Sequence, residues 1–258
     1  MQSCLKIKTN NLALVLGGGA ARGAFHLGVL DFIEKNNIEI KAYSGSSIGA
    51  IISASHASGI SAKEQLKIFS SKDIKQIFKF NYFKKSLFKI DSLHKIIKEL
   101  LPIEKLEDIP KPIWVNTYDL KKKKLHYFSS GDTISLCMAS SALAPLFKPV
   151  SYKNMLLIDG GLFDNIPIKP LLNKGYDICS IDLFAKRNIL ESYKKINLNL
   201  IKEIKKSLFT QLHQNHKFSL INTTYYLGSM QIRDFSLFSF KELEECFKLG
   251  FKEAQNHF

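Results

Sequence analysis

The chain is short of cysteine and of long apolar runs. It has 258 residues and four cysteines, namely Cys4, Cys137, Cys179 and Cys246, none of which form a C-x-x-C pair. This spacing predicts neither a zinc site nor a redox motif, and it is typical of a reducing compartment. No apolar run reaches the ~18 residues that span a bilayer, and the polar start MQSCLKIKTN is unlike a signal peptide. The sequence therefore predicts a cytoplasmic protein.

Acidic residues are also few relative to basic ones. The 23 Asp and Glu residues face 37 Lys and Arg residues, which leaves a formal net charge of +14. A basic surface attracts phosphate-bearing partners, either nucleic acid or anionic lipid. No nucleic-acid-binding motif is visible, so we expect no nucleic acid partner. Two interpretations of the charge stay open: contact with the inner face of a membrane, or an ordinary solvated lysine-rich surface.

Strand-like and helix-like patterns alternate at the start of the chain. The apolar run LALVL leads into glycines, a helical pattern covers 20–35, a second strand covers 38–45, and a small-residue helix stops near Gly59. Further on, PIWVNTYDL and KLHYFSS read as strands around the turn KKKK, whereas the pattern after 185 becomes helical and rich in lysine. This order predicts an α/β fold with a mostly parallel sheet. We expect one domain over 1–258, with a core over about 12–184 and a C-terminal helical extension over 185–258.

The segment Gly45-Ser46-Ser47-Ile48-Gly49 fits the pattern G-x-S-x-G. A serine on a tight strand-to-helix turn is held in a strained, exposed position, and small residues must stand two places to either side. This pattern predicts a nucleophilic Ser47 between the elbow glycines Gly45 and Gly49. The alternative is a glycine-bracketed turn without chemistry.

The first strand ends in a second glycine-rich turn, Gly17-Gly18-Gly19-Ala20, followed by Arg22. Bare backbone at such a turn can aim N–H groups at an anion, which would be an oxyanion if Ser47 attacks an ester. Arg22 would hold the loop or meet a phosphate. A dinucleotide site is the alternative, but neither register of G-x-G-x-x-G is complete, and no G-K-[ST] follows to make a P-loop.

A nucleophilic serine needs a base. Asp159 follows the apolar stretch MLLI and precedes Gly160 and Gly161, the position where α/β sheets collect functional residues. It would need a raised pKa to act near neutral pH; its other interpretation is a turn-capping aspartate. A Ser-His-Asp triad would instead use a late histidine, and His213, His216 and His257 qualify by chain order.

Three blocks together resemble the patatin-like phospholipase family: GGGAARGAF from Gly17, GSSIG from Gly45 and DGG from Asp159. The resemblance covers about residues 12–184 and includes ASSALAPLFKPV and DGGLFDNIPI around the aspartate. Mild departures are Ala20, Ser46 and Ile48, where many relatives have glycine, threonine and methionine.

The resemblance implies a three-layer α/β/α sandwich and a serine lipid acyl hydrolase. Ser47 would be the nucleophile and Asp159 the base of a Ser-Asp dyad that works through an acyl-enzyme. The backbone at Gly17, Gly18, Gly19 and Ala20 would form the oxyanion hole, with Arg22 at the family's basic loop position. The substrate would be a phospholipid or another lipid ester, and no metal or cofactor is implied. A catalytically inactive lipid-binding module remains an alternative.

One basic, phenylalanine-rich stretch, 63–98, has no single interpretation. Its sequence IFKFNYFKKSLFKI would suit an anionic lipid surface, with Phe and Leu buried and lysines near phosphate. It would equally suit a lid over the site or ordinary helices that face the core.

Overall fold

The computed structural model describes residues 7–71, 90–143, 147–184 and 202–258. The strands are β1 (Leu12–Leu16), β2 (Ile40–Gly45), β3 (Ile113–Asp119), β4 (Lys124–Phe128), β5 (Val150–Tyr152), β6 (Met155–Asp159), β7 (Asp177–Ile181) and β8 (Tyr225–Leu227). The α-helices are α1 (Gly23–Lys35), α2 (Ile48–Ala57), α3 (Ala62–Phe69), α4 (Ile90–Leu100), α5 (Thr133–Ser140), α6 (Lys202–Asn222) and α7 (Leu243–His257).

All eight strands join one sheet, in the order β5-β6-β3-β2-β1-β7-β8, with β4 also paired to β3. The strands β3, β2, β1, β7 and β8 run parallel to one another. The strands β4 and β6 run antiparallel to β3, and β5 runs antiparallel to β6. The predicted α/β class with a mostly parallel sheet is confirmed.

The central strand β1 is buried on both faces, as its unbroken apolar run predicted. Leu12, Leu14 and Leu16 point into the larger core, whereas Ala13 and Val15 point into the core on the opposite face. Successive side chains on a strand face opposite sides, so each face of the sheet needs its own covering layer.

Helical layers cover both faces. The larger core takes Phe25 of α1, Ile52 of α2 and Leu249 of α7. The opposite core takes Ile166 and Ile168 from the segment after β6. That segment is covered in turn by α6, whose Ser219 hydroxyl donates a hydrogen bond of 2.7 Å to the Ile166 carbonyl.

The C-terminal residues contribute to both the sheet, through β8, and the larger core, through α7. Helix α7 lies in backbone contact with α1: a Cβ on Gly28 would stand 2.0 Å from the Phe247 carbonyl oxygen, and one on Gly250 would stand 2.1 Å from that of Phe25. Strand β8 was not predicted, because a three-residue strand leaves too short a pattern to recognise.

Some sequence predictions fall outside the described residues. They include residues 72–89 of the basic stretch 63–98 and residues 185–201 of the C-terminal extension. Within the described part of 63–98, α3 buries Leu66 and Phe69 and exposes Lys63. Among the helices described, none combines the length and the apolar character that a membrane crossing requires.

Candidate active site

Ser47 stands at the sharp turn between β2 and α2, with φ 53° and ψ −125°. A residue other than glycine is costly in this backbone region, by about 1–3 kcal/mol, and such strain persists only where the surroundings enforce it. The two elbow glycines make the turn possible. A Cβ on Gly45 would lie 2.6 Å from the Ala50 Cα, and one on Gly49 would lie 2.0 Å from the Leu16 carbonyl oxygen. Ser47 therefore lies on a strained turn that packs directly against β1.

A residue that sequence reasoning missed holds this turn. The backbone N–H of Ser47 donates a 2.9 Å hydrogen bond to the hydroxyl of Ser140, which is fully buried at the end of α5. The two serines are 93 residues apart in the chain. Helix α5 ends at Ser140, whose side chain lies against the turn that carries Ser47.

Asp159 ends β6 and lies opposite Thr117 of β3. Strand β3 also pairs with β2, where Gly45 lies opposite Val115, so Ser47 and Asp159 stand at the same level of the sheet. The Asp159 carboxylate accepts a 2.7 Å hydrogen bond from the Gly161 N–H. It also accepts a hydrogen bond from the side chain of Ser47.

Burial sets the acidity of Asp159. Removal from water raises the pKa of this carboxyl to about 7, although the hydrogen bonds from Gly161 and Ser47 act in the opposite direction. The two glycines that follow are needed for this packing. A Cβ on Gly160 would stand 2.7 Å from the Asn116 side chain, and one on Gly161 would stand 2.7 Å from the Ser46 hydroxyl.

The glycine loop after β1 divides into two halves. The N–H of Gly17 is bonded to the Ile181 carbonyl at 3.1 Å, and that of Gly18 to the Asn165 side-chain oxygen at 3.2 Å. Within the described ranges, the N–H groups of Gly19 and Ala20 have no acceptor. Ala20 adopts φ 50°, the left-handed region that glycine occupies most easily. The first half of the loop is thus anchored, and the second half offers open donors.

Asn165 is the anchor of that first half, and the sequence analysis did not single it out. Its side chain is fully buried and bonds twice to the backbone of one residue: Oδ1 accepts from the Gly18 N–H, and Nδ2 donates to the Gly18 carbonyl at 3.4 Å. The signal in the sequence is only a polar residue within the apolar stretch LFDNIPI that follows the DGG block.

Arg22 holds the loop to the C-terminal part of the chain. Its guanidinium donates to the carbonyls of Phe235 at 2.9 Å, Leu183 at 3.1 Å and Arg233 at 3.4 Å. Of its two expected roles, the structure places Arg22 in the first, as a brace for the loop. Those carbonyls take up three of the five N–H groups of the guanidinium, which leaves fewer donors for a phosphate.

Among the side chains that the structure describes, no hydrogen bond joins a histidine to Ser47 or Asp159. His26 is buried beneath the glycine loop, where its Nε2–H donates to the Gly17 carbonyl at 2.8 Å and burial lowers its pKa to about 4. Among the described residues, the groups that shift the pKa of Asp159 include no histidine. His216 of α6 interacts electrostatically with Asp182 and His213 instead. A Ser-His-Asp triad finds no support in these contacts.

An apolar pocket begins at the two turns of the site. It runs between α1, α2 and α3 and is narrow, with a cavity volume of about 10 Å³. Its lining includes Ala20 of the glycine loop and Ile48, which follows Ser47, and then Ala24, Leu66, Phe69 and Phe240. As for metal ions, no group of three His, Cys, Asp or Glu side chains suited to hold one occurs in the part of the chain described.

Comparisons with a family model and with related sequences point to the same protein family. Residues 14–172 match the family model described as patatin-like phospholipase. Lysophospholipase NTE1 of Scheffersomyces stipitis is 27% identical over 170 residues, which cover 64% of this chain and 11% of that protein. Lysophospholipase NTE1 of Candida albicans is 23% identical over 275 residues, which cover 96% of this chain and 20% of that protein. The chain therefore spans only a small part of these relatives.

Among solved structures, VipD from Legionella pneumophila has a similar fold. The superposition has a TM-score of 0.55 at 15% sequence identity, and it covers 96% of this chain and 66% of that one. This likeness concerns the course of the chain and not its chemistry.

Proposed function

Because the chain belongs to the patatin-like phospholipase family, we propose that it is a serine lipid acyl hydrolase that works through a Ser47–Asp159 dyad. The observation that carries the proposal is the contact between the two side chains. A strained serine hydrogen-bonds to a buried carboxyl whose pKa is raised to about 7, beside backbone N–H groups that find no acceptor in the part of the chain that the structure describes.

The proposed reaction has two halves. In the first, Asp159 takes the hydroxyl proton while the Ser47 oxygen forms a bond to the ester carbonyl carbon. The N–H groups of Gly19 and Ala20 stabilise the oxyanion, which is worth ~3 kcal/mol or more for each donor. Collapse of the intermediate breaks the ester bond, and the protonated Asp159 returns its proton to the leaving alcohol. In the second half, Asp159 takes a proton from water as the water oxygen bonds to the acyl carbon; the bond to the Ser47 oxygen then breaks, the carboxylic acid leaves, and Asp159 returns the proton to Ser47.

A pKa near 7 supports this role for Asp159. A general base works best when its pKa lies near the operating pH, and an ordinary aspartate is too acidic to accept a proton efficiently there. The anchored half of the loop supports the assignment of the donors. The N–H groups of Gly17 and Gly18 already donate hydrogen bonds to Ile181 and Asn165. We therefore assign the binding of the oxyanion to the N–H groups of Gly19 and Ala20.

We propose that the acyl chain of the substrate enters this narrow apolar pocket, which must widen to admit the chain. The pocket starts beside the oxyanion donors, and its apolar lining offers nothing to a polar headgroup. The relatives bear the name lysophospholipase, so we propose that a phospholipid or lysophospholipid supplies the acyl group.

Labelling with a fluorophosphonate tests the proposed nucleophile. We expect a single covalent adduct on the peptide that contains Ser47, identified by mass spectrometry, because only a serine activated by a base attacks the reagent readily. The Ser47→Ala variant should lose the adduct. The neighbouring Ser46→Ala variant is the matched control and should keep it, because the Ser46 hydroxyl is buried and has no hydrogen-bond partner among the described residues. An adduct that persists in Ser47→Ala would contradict the proposal.

A size change in the pocket tests the acyl assignment. Ala24 is buried and lines the pocket, so Ala24→Leu should fill it. We expect the ratio of kcat/KM for a dodecanoyl ester to that for an acetyl ester to fall by about tenfold or more, because a few methylene groups in an apolar pocket discriminate on that scale. Leu66→Ala should raise the same ratio. If both variants leave the ratio unchanged, the acyl chain binds elsewhere.

A further inference from the structure

Two hairpin tips form a basic surface, which we call the tip surface. It consists of Lys121, Lys122, Lys123 and Lys124 from the turn between β3 and β4, together with Lys153 from the turn between β5 and β6. All five lysines are exposed, and Leu120 beside them is an exposed large apolar residue. Neither turn sequence, LKKKK or SYKN, contains an acidic residue.

The sheet register places the tip surface at the edge that carries the candidate active site. Thr117 of β3 pairs with Asp159 of β6. Strand β3 continues past this pair to Asp119, which pairs with Lys124 of β4. Asp119 also pairs with Leu157 of β6. Two residues from Leu157, towards the turn between β5 and β6, Met155 pairs with Tyr152. At about 3.3 Å per residue, both tips project on the order of 10 Å beyond Ser47 and Asp159.

The two tips are braced as one unit. The buried Asp119 carboxylate accepts hydrogen bonds from the Lys121 N–H at 2.9 Å and the Leu156 N–H at 3.3 Å. The Lys121 ammonium donates to the Asn154 carbonyl at 3.2 Å, and the Leu120 N–H donates to the Leu156 carbonyl at 2.9 Å. These bonds join the hairpins, so the backbone positions of the two tips are fixed relative to each other.

Each tip carries lysine at a position that favours glycine. Lys123 has φ 52° and Lys153 has φ 51°. Glycine and asparagine occupy this left-handed region at the tips of tight turns much more easily than a long side chain does. The fold therefore tolerates backbone strain at the two positions where charge projects furthest.

We infer that the tip surface binds the anionic face of a lipid aggregate and brings the active-site edge against it. Lysines near a negatively charged membrane each strengthen binding by about fivefold, and Leu120 can enter the headgroup region between them. The inference rests on the proposed function, because a lipid hydrolase must meet its substrate at an interface.

Vesicle sedimentation tests the inference. The Ser47→Ala variant is used as the background so that lipid is not consumed, with vesicles of phosphatidylcholine mixed with phosphatidylglycerol. We expect the double change Lys123→Gly and Lys153→Gly to weaken binding by about 25-fold, since two lysines are lost. Its unfolding temperature should not fall, because glycine relieves strain at both positions. A lower unfolding temperature together with weaker binding would point to a structural role and overturn the inference.

A matched control removes the same charge from the opposite edge of the sheet. Lys8 and Lys174 are exposed and precede β1 and β7, and their change to glutamine should alter binding by less than about threefold. Equal losses in the two double variants would show that only net charge matters and would overturn the inference. So would binding to vesicles of pure phosphatidylcholine that is as strong as binding to the mixed vesicles.

Two further arms separate the alternatives. Binding of a short RNA oligonucleotide that is tighter than vesicle binding at the same salt, and that is lost in Lys123→Gly/Lys153→Gly, would replace lipid with nucleic acid. Hydrolysis of a monomeric acetyl ester by protein with an intact Ser47 distinguishes the two proposals. If the tip surface does not bind vesicles but the proposed function is correct, the protein still cleaves the ester. If the proposed function is wrong, the ester is not cleaved, whatever the result of the vesicle experiment.

Discussion

Replacing Asp159 with asparagine is expected to slow ester hydrolysis by about 10²- to 10⁴-fold, the range that a positioned general base contributes. Asparagine keeps an oxygen for the Gly161 N–H but cannot take the proton of Ser47. The measurement is kcat/KM on a soluble ester, with Ser47→Ala as the background rate. The double change His213→Gln and His216→Gln is the control and should keep most of the activity. The reverse pattern would favour a triad with a late histidine.

The pH dependence sharpens this prediction. The dyad needs Asp159 deprotonated, so kcat/KM of the unmodified protein should rise with pH and reach half of its plateau near the pKa of about 7. The asparagine variant should lose this step from its remaining activity. A step near pH 4 in the unmodified protein would mean that burial does not raise the pKa of Asp159.

The raised pKa also has a cost in stability, which gives an independent check that the variant is folded. Because the pKa of Asp159 rises from 3.8 to about 7 on folding, the folded protein holds this proton where the unfolded chain has lost it. The corresponding contribution to the free energy of unfolding is fully present below pH 3.8 and is lost as pH rises through about 7. The loss is on the order of 4 kcal/mol. Asp159→Asn should therefore unfold at a higher temperature than the unmodified protein at pH 8, while it hydrolyses the ester more slowly.

Replacing Gly49 with alanine is expected to lower the free energy of unfolding by about 3 kcal/mol or more and to abolish hydrolysis. The added Cβ would lie 2.0 Å from the Leu16 carbonyl oxygen and 2.8 Å from that of Gly17. Both neighbours are backbone atoms of β1 and the glycine loop, so neither can move aside alone. The helix α2 must shift away, and Ser47 at its start shifts with it.

Gly59, at the other end of α2, is the matched control for this prediction. Its φ is +95°, yet a Cβ there would meet no atom within 4 Å. The change Gly59→Ala therefore adds backbone strain without a clash and should cost only about 1 kcal/mol, with hydrolysis retained. Urea denaturation midpoints compare the two variants. Similar midpoints would mean that the contact between α2 and β1 is loose and that the elbow does not depend on Gly49.

The sequence predicted the features that depend on neighbours in the chain. The elbow around Ser47 is in part a matter of local sterics, because a Cβ on Gly45 would meet the backbone of Gly49 and Ala50 in the same turn. The buried strand β1 follows from five consecutive apolar residues, and the α/β class follows from the alternation of patterns. The family was recognisable from three short blocks whose order and spacing survive without any knowledge of contacts, and the comparisons confirm it. The roles of Ser47 and Asp159 stay predictions until they are measured.

What the sequence could not predict depends on residues that lie far apart along the chain. Ser140 reaches Ser47 across 93 positions, Asn165 reaches Gly18 across 147, and Arg22 reaches Phe235 across 213. These partners decide which N–H groups of the glycine loop stay open and whether Arg22 is free to bind a phosphate. No local pattern encodes them, because a hydrogen bond needs only that folding brings a donor and an acceptor together.

The amino-acid order by itself determined the glycine turns, the longer strands and the candidate reactive groups, since each follows from the shape and charge of a few adjacent residues. Only the tertiary structure decided the acidity of Asp159, because a pKa near 7 comes from the exclusion of water by the surrounding layers and not from the carboxyl itself. The position of the lysines at 121–124 also depends on the tertiary structure. The pairing of β3 with β4 and β6 places them at the edge of the sheet that carries Ser47.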